Sequence, residues 1–223
     1  MKKLMFVLGF ILILGCSARK DIFSQRYSGT LELTEHVLGA KVAGRVMTLV
    51  VQEGDLVQAG QVIATLDRYD QAKKDYERLQ ELLKTGGANA QAVEYAQLAM
   101  QDQQIVSPID GVVLVKSAQV GEMLASGAGV VVIGDIKEQW VKIFLPEGLV
   151  GQIQLGQKAS IRFDGLDKVY EGRLSFLATK AEFTPRNVQT SEERITQVFA
   201  VKVMLEKPDE HTHPGVTADV EFK

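Results

Sequence analysis

The spacing of apolar residues changes several times along this chain, and each change predicts a different element. Residues 4–14 are an unbroken apolar run of eleven. Gly29-Thr-Leu-Glu-Leu-Thr34 alternates with the period of a half-buried strand. Short β-branched runs broken by glycines fill 42–67 and return in 109–135. Between them the period lengthens: Tyr69, Ala72, Tyr76, Leu79 and Leu83 stand 3, 4, 3 and 4 residues apart, a heptad stripe on a helix. Thr85-Gly86-Gly87 ends that stripe. A second helix is expected from near Asn89, with Val93, Ala96 and Met100 facing back and Ala92 and Ala99 beside them. The two read as an antiparallel helical hairpin, each helix of about 16 residues and roughly 24 Å. Beyond Asp135 alternation resumes. Segments 140–145, 157–163, 170–177, 196–205 and 216–222 read as strands of a small closed barrel, with Pro146 opening a short helix.

The two glycine-broken stretches are one pattern written twice. Gly44, Gly54 and Gly60 mark the first copy, and Gly111, Gly121 and Gly127 the second. In both, the glycines fall ten and then six residues apart, and the copies are offset by 67 residues. Each copy reads as three or four short strands joined by glycine turns, since glycine takes φ > 0 without steric cost. Neither half buries enough apolar surface alone, so the two are expected to pack as a flattened β-sandwich. Trp140 is expected in the core or at the rim of the following barrel.

Composition narrows the partners. The chain has 223 residues, 46% hydrophobic and 24% charged, values of a globular protein without a long disordered region. Its formal net charge is −3, and without Lys2 and Lys3 it is −5, which argues against nucleic acid. The one cysteine, Cys16, excludes an intramolecular disulfide. Eleven apolar residues are too few for a bilayer core, which needs about 20, so 1–15 reads as a signal peptide. Its end, Ile13-Leu14-Gly15-Cys16, resembles a bacterial lipobox, which implies a lipidated Cys16 at the mature N-terminus. Ser17 follows in place of the aspartate that often holds such proteins at the inner membrane, whereas the family resemblance given below implies the inner membrane, so the leaflet stays open. Residues 16–27 are polar and unpatterned, a tether.

Gly44-Arg-Val, then Glu53-Gly-Asp-Leu-Val-Gln-Ala-Gly-Gln-Val-Ile-Ala-Thr-Leu-Asp67, resembles the biotinyl/lipoyl-type half-motif of HlyD-type periplasmic adaptors, the membrane fusion proteins. Ile105-Val-Ser-Pro-Ile-Asp-Gly-Val-Val113 resembles their second half-motif. The resemblance implies a mainly β fold with an inserted α-helical hairpin: a lipoyl-like sandwich split by a short antiparallel coiled coil, then a small β-barrel. The expected boundaries are 28–67 and 105–135 for the half-motifs, 68–104 for the hairpin and 136–223 for the barrel, with no complete membrane-proximal domain after it. By the same resemblance, Arg78, Leu82 and Asn89 correspond to the tip motif that engages TolC-like outer-membrane channels, with asparagine where serine is expected. Leu82 lies off the heptad stripe and is expected at the surface; read structurally, Asn89 caps the second helix. Phe183-Thr-Pro-Arg-Asn-Val-Gln-Thr-Ser-Glu-Glu-Arg194 resembles a stretch of adaptors paired with ABC-type exporters, the alternative being an RND-type pump. By composition it is a polar loop, able to pin itself locally or to face a neighbouring subunit.

The implied protein is a lipid-anchored periplasmic lipoprotein of a Gram-negative bacterium, hexameric by family analogy, without enzymatic activity or cofactor. It would bridge an inner-membrane exporter to an outer-membrane channel. No catalytic constellation and no phosphate-cradling loop is legible. Lys73, Lys74 and Lys84 fall on the first helix and Lys41 before a strand, which argues against a lipoyl or biotinyl carrier. His211 and His213, beside Asp209 and Glu210, are the weak metal candidates of a rival metal-handling reading; a polar hairpin loop is the plainer one.

Overall fold

The computed structural model describes residues 25–183, 197–209 and 212–223. In chain order the strands are β1 (Tyr27–Gly39), β2 (Gly44–Leu49), β3 (Leu56–Val57) and β4 (Val62–Leu66). Helices α1 (Tyr69–Lys84) and α2 (Ala90–Gln101) follow, then β5 (Gln104–Val106), β6 (Gly111–Lys116), β7 (Met123–Leu124) and β8 (Gly129–Pro146). The chain continues as α3 (Glu147–Val150), β9 (Lys158–Phe163), β10 (Val169–Leu177), β11 (Glu182–Phe183), β12 (Gln197–Leu205) and β13 (Thr217–Phe222).

The repeat in the sequence is a repeat of hydrogen bonds. Gly54 N donates to Val113 O at 2.8 Å, and 67 residues on, Gly121 N donates to Val46 O at 2.8 Å. Gly60 N donates to Ser107 O at 2.8 Å, as Gly127 N does to Ala40 O at 2.7 Å. Each copy thus closes on the other: β2 pairs with β7, and β3 with β6. The buried side chains obey the same offset. Val46 and Val113, Val57 and Leu124, Ile63 and Val130, and Leu66 and Ile133 all sit in one core. The β4–β5 ribbon is repeated as the β8–β1 ribbon, with Val62 opposite Val106 and Gly129 opposite Gly39. One ribbon carries the helices and the other runs on into the barrel.

Four of the marking glycines take positive φ: Gly54 (91°), Gly60 (86°), Gly121 (89°) and Gly127 (85°). Gly44 and Gly111, expected in turns, stand instead at the starts of β2 and β6. The reason for glycine there is proximity. A β carbon on Gly111 would lie 2.5 Å from the Gly134 carbonyl oxygen.

The barrel closes through six strands, β1, β8, β12, β10, β9 and β13, all antiparallel. Closure leaves no unpaired edge within that ring. Alternate residues point inward, among them Leu31, Ile143, Ile161, Leu174, Val203 and Val220. Trp140 is not in this core. It lies half-buried on the outer wall, its Nε1 donating to Glu32 Oε2 at 3.0 Å and Lys202 Nζ standing 4.0 Å above its ring.

Sandwich and barrel are joined by continuous strands. β8, 18 residues long, belongs to both, as does the 13-residue β1. At the crossing the register slips: Leu33 faces Gln139 and Glu35 faces Gly134, so Thr34 alone opposes residues 135–138. The extra residues form a bulge and bend the ribbon.

Candidate functional site: the helical hairpin and the junction

The helices α1 and α2 pack on each other and on little else; neither contains a buried residue. Ala72, Tyr76 and Leu79 of α1, and Val93, Ala96 and Met100 of α2, are half-buried along their contact. α2 has 12 residues, about 18 Å, and so is shorter than the 16 expected. Gln103 and Gln104 leave the helix because β4 claims them: Leu66 N donates to Gln103 O at 2.9 Å, and Gln104 pairs with Thr65. At the root, Lys41 Nζ lies 3.4 Å from Asp102 Oδ1.

The turn between the helices closes tightly. Gly86 takes φ 77°, and Gly87 N donates to Leu82 O at 2.8 Å, satisfying a carbonyl at the end of α1. Asn89 Oδ1 accepts from Ala92 N at 2.8 Å and caps α2. Arg78 is exposed and pairs with Asp75 at 3.0 Å, one turn nearer the root. Leu82, 40% exposed, is one turn beyond Arg78 on the same face. The three tip residues therefore differ in role: Asn89 is occupied by its own helix, while Arg78 and Leu82 face solvent.

Of the other sequence candidates, Cys16, His211 and residues 184–194 lie outside the described residues. His213 is exposed. Among the described residues no group of three histidine, cysteine or acidic side chains is placed to hold a metal. Nor is any described helix long and apolar enough to cross a membrane.

A second feature, invisible to periodicity, lies at the junction. The segment after β12 folds back over the sandwich and is held by ion pairs. Arg173 Nε donates to Glu206 Oε1 at 2.5 Å and holds that carboxyl below its ordinary pKa. Lys168 Nζ lies 2.5 Å from Asp209 Oδ2, and this bond raises the Lys168 pKa. Tyr170 OH donates to Asp209 at 3.0 Å; burial first, then this bond, pushes the phenol up. Across the junction Lys137 Nζ donates to Asp110 Oδ2 at 2.8 Å, lowering the Asp110 pKa and raising that of Lys137. Between segment and sandwich is a cleft of about 870 Å³. Its residues come from five stretches far apart in sequence, so no local motif announces it.

Against known proteins, residues 36–134 match the family described as RND MFP, barrel-sandwich hybrid domain. That range covers the repeat and the inserted helices together. Solved structures share the wider fold, among them the membrane fusion protein Spr0693. Spr0693 of Streptococcus pneumoniae R6 superposes with a TM-score of 0.58 at 20% identity, covering 90% of this chain and 99% of that one. A MacA–MexA chimera carrying the Pseudomonas aeruginosa MexA α-hairpin domain gives 0.61 at 20% identity, over 89% of this chain and 78% of that one. In sequence, the UPF0194 membrane protein of Citrobacter koseri is 29% identical over 128 residues, 57% of this chain and 39% of the relative. UPF0194 membrane protein YbhG of Salmonella gallinarum is 29% identical over 126 residues, 56% and 38%. The matched part thus spans about two fifths of these relatives' length.

Proposed function

We propose that this chain is a periplasmic adaptor subunit of an efflux or secretion system, bridging an inner-membrane exporter to a TolC-like outer-membrane channel. What carries the reading is one combination: a match of residues 36–134 to the barrel-sandwich hybrid domain described for membrane fusion proteins, with a solvent-exposed helical hairpin inserted in it. A two-helix element that buries none of its residues within its own chain is a contact surface in search of a partner. In this reading Arg78 and Leu82 meet the channel, and Asn89 sets the start of α2 rather than touching the partner. Cys16 carries the lipid anchor, and copies assemble as a hexameric ring by family analogy. The subunit binds and seals, without chemistry or cofactor.

For the pump, the 183–194 stretch favours an ABC-type exporter. An RND-type pump is the second reading, favoured by the description of the matching family. Photo-crosslinking in native envelopes tests the bridge, with the photoreactive residue at position 82. An adduct to an outer-membrane channel is expected. Self-adducts alone, with a probe in the 183–194 stretch capturing a pump, would show that the hairpin does not dock.

A further inference from the structure

We propose that the junction cleft binds a small, uncharged, largely apolar molecule that offers one N–H or O–H group to Gln139. Its volume, about 870 Å³, falls within the roughly 300–1,000 Å³ of small-molecule sites. The walls are apolar, from Leu56 and Leu114 on the sandwich to Pro208 and Pro214 on the barrel segment. Leu56 is 71% exposed there, an apolar side chain on a sheet surface.

The polar groups decide the class of ligand. Lys137, Glu206 and Asp209 line the cleft, but each is already engaged in an ion pair, with Asp110, Arg173 and Lys168 respectively. A charged ligand would have to break one of these pairs; a neutral one leaves them intact. Gln139 differs. Its side chain is buried, with the residue 1% exposed, and its Oε1 has no hydrogen-bond partner. Its Nε2 donates to Ile136 O at 3.1 Å, which fixes the oxygen as the end left over. Gln139 lines the cleft, and a buried amide oxygen without a donor is unfavourable, so a ligand donor that reaches this oxygen would relieve it.

The cleft also sits at the four-residue bulge of β8, where sandwich gives way to barrel. An occupant therefore touches both bodies and favours one angle between them. This does not rest on the adaptor reading, since binding is measured on the chain alone.

The probe is N-phenyl-1-naphthylamine, an apolar fluorophore with a single N–H, beside its N-methyl derivative, which has none. The chain is expected to enhance the fluorescence of both saturably, binding the N–H form about fivefold tighter. Leu56→Arg, at an exposed position, should weaken both by about tenfold or more through the charge it sets in the apolar wall. Gln139→Leu should remove the preference for the N–H form and leave the N-methyl form unchanged. Leu98→Arg on the exposed face of α2 should change neither. Absence of saturable binding, or unaltered binding by Leu56→Arg, overturns the site; loss of binding in Leu98→Arg moves it to the hairpin. If Gln139→Leu does not fold, equal affinity of the wild-type chain for the two probes overturns the hydrogen bond.

Discussion

Replacing Gly111 by alanine tests whether the pairing of the two half-motifs depends on backbone proximity. The added β carbon would stand 2.5 Å from both the Gly134 carbonyl oxygen and Ile133 Cγ2. Neither obstacle can move freely, because Gly134 belongs to β8 between its two neighbours and Ile133 is fully buried. At the repeat-related Gly44 the nearest atoms are Asp67 Oδ1 at 3.1 Å and Leu66 Cβ at 3.2 Å, so a few tenths of an ångström suffice. Overpacking costs about 1–3 kcal/mol, which places Gly111→Ala near 3 and Gly44→Ala near 1. Both gain back about 0.5 kcal/mol from the stiffer unfolded chain. With a urea slope of about 2 kcal/mol/M, the midpoint should fall by about 1.2 M for Gly111→Ala and about 0.3 M for Gly44→Ala. Far-UV circular dichroism follows the transition. Equal shifts, or a larger one for Gly44→Ala, would refute the argument that the β6–β8 ladder is rigid where the chains touch.

Two further outcomes are expected. Asn89→Ala removes the acceptor for Ala92 N, worth about 1 kcal/mol, and should speed hydrogen exchange at residues 90–93 without moving the global midpoint, while Asn89→Ser restores protection. Glu206, held below its ordinary 4.5 chiefly by the hydrogen bond from Arg173, stabilises the fold above that pH and ceases to as pH falls through its folded value. The stability difference between wild type and Glu206→Gln should therefore be constant from pH 7 to about 5 and vanish on further acidification; a difference that grows in acid would reverse the sign.

What the sequence made legible is what is local. The glycine spacing carried the sandwich because each glycine answers to its partner 67 residues away, and the 3-4 spacing carried α1. Asn89 as a cap followed from its side chain alone. The end of α2 was hidden because hydrogen bonds to β4, not helix propensity, decide where it stops. Gly44 and Gly111 were misjudged because a turn glycine and a close-approach glycine are the same letter. The passage of β8 through the junction could not be seen from 135–138, a polar stretch that resembles a linker and is a bulge. The cleft was hidden for the plainest reason: Leu33, Leu56, Leu114, Gln139 and Pro214 meet only after folding.

Among the described residues, the hairpin touches the rest of the molecule near its root, where Lys41 meets Asp102 and Leu66 meets Gln103. It is in effect a cantilever. Over an arm of about 24 Å, a tilt of about 10° at the root carries the tip through about 4 Å, more than the length of a hydrogen bond. A partner gripping Arg78 and Leu82 therefore reads the angle at residues 66–68 and 102–104 as much as the identity of the tip.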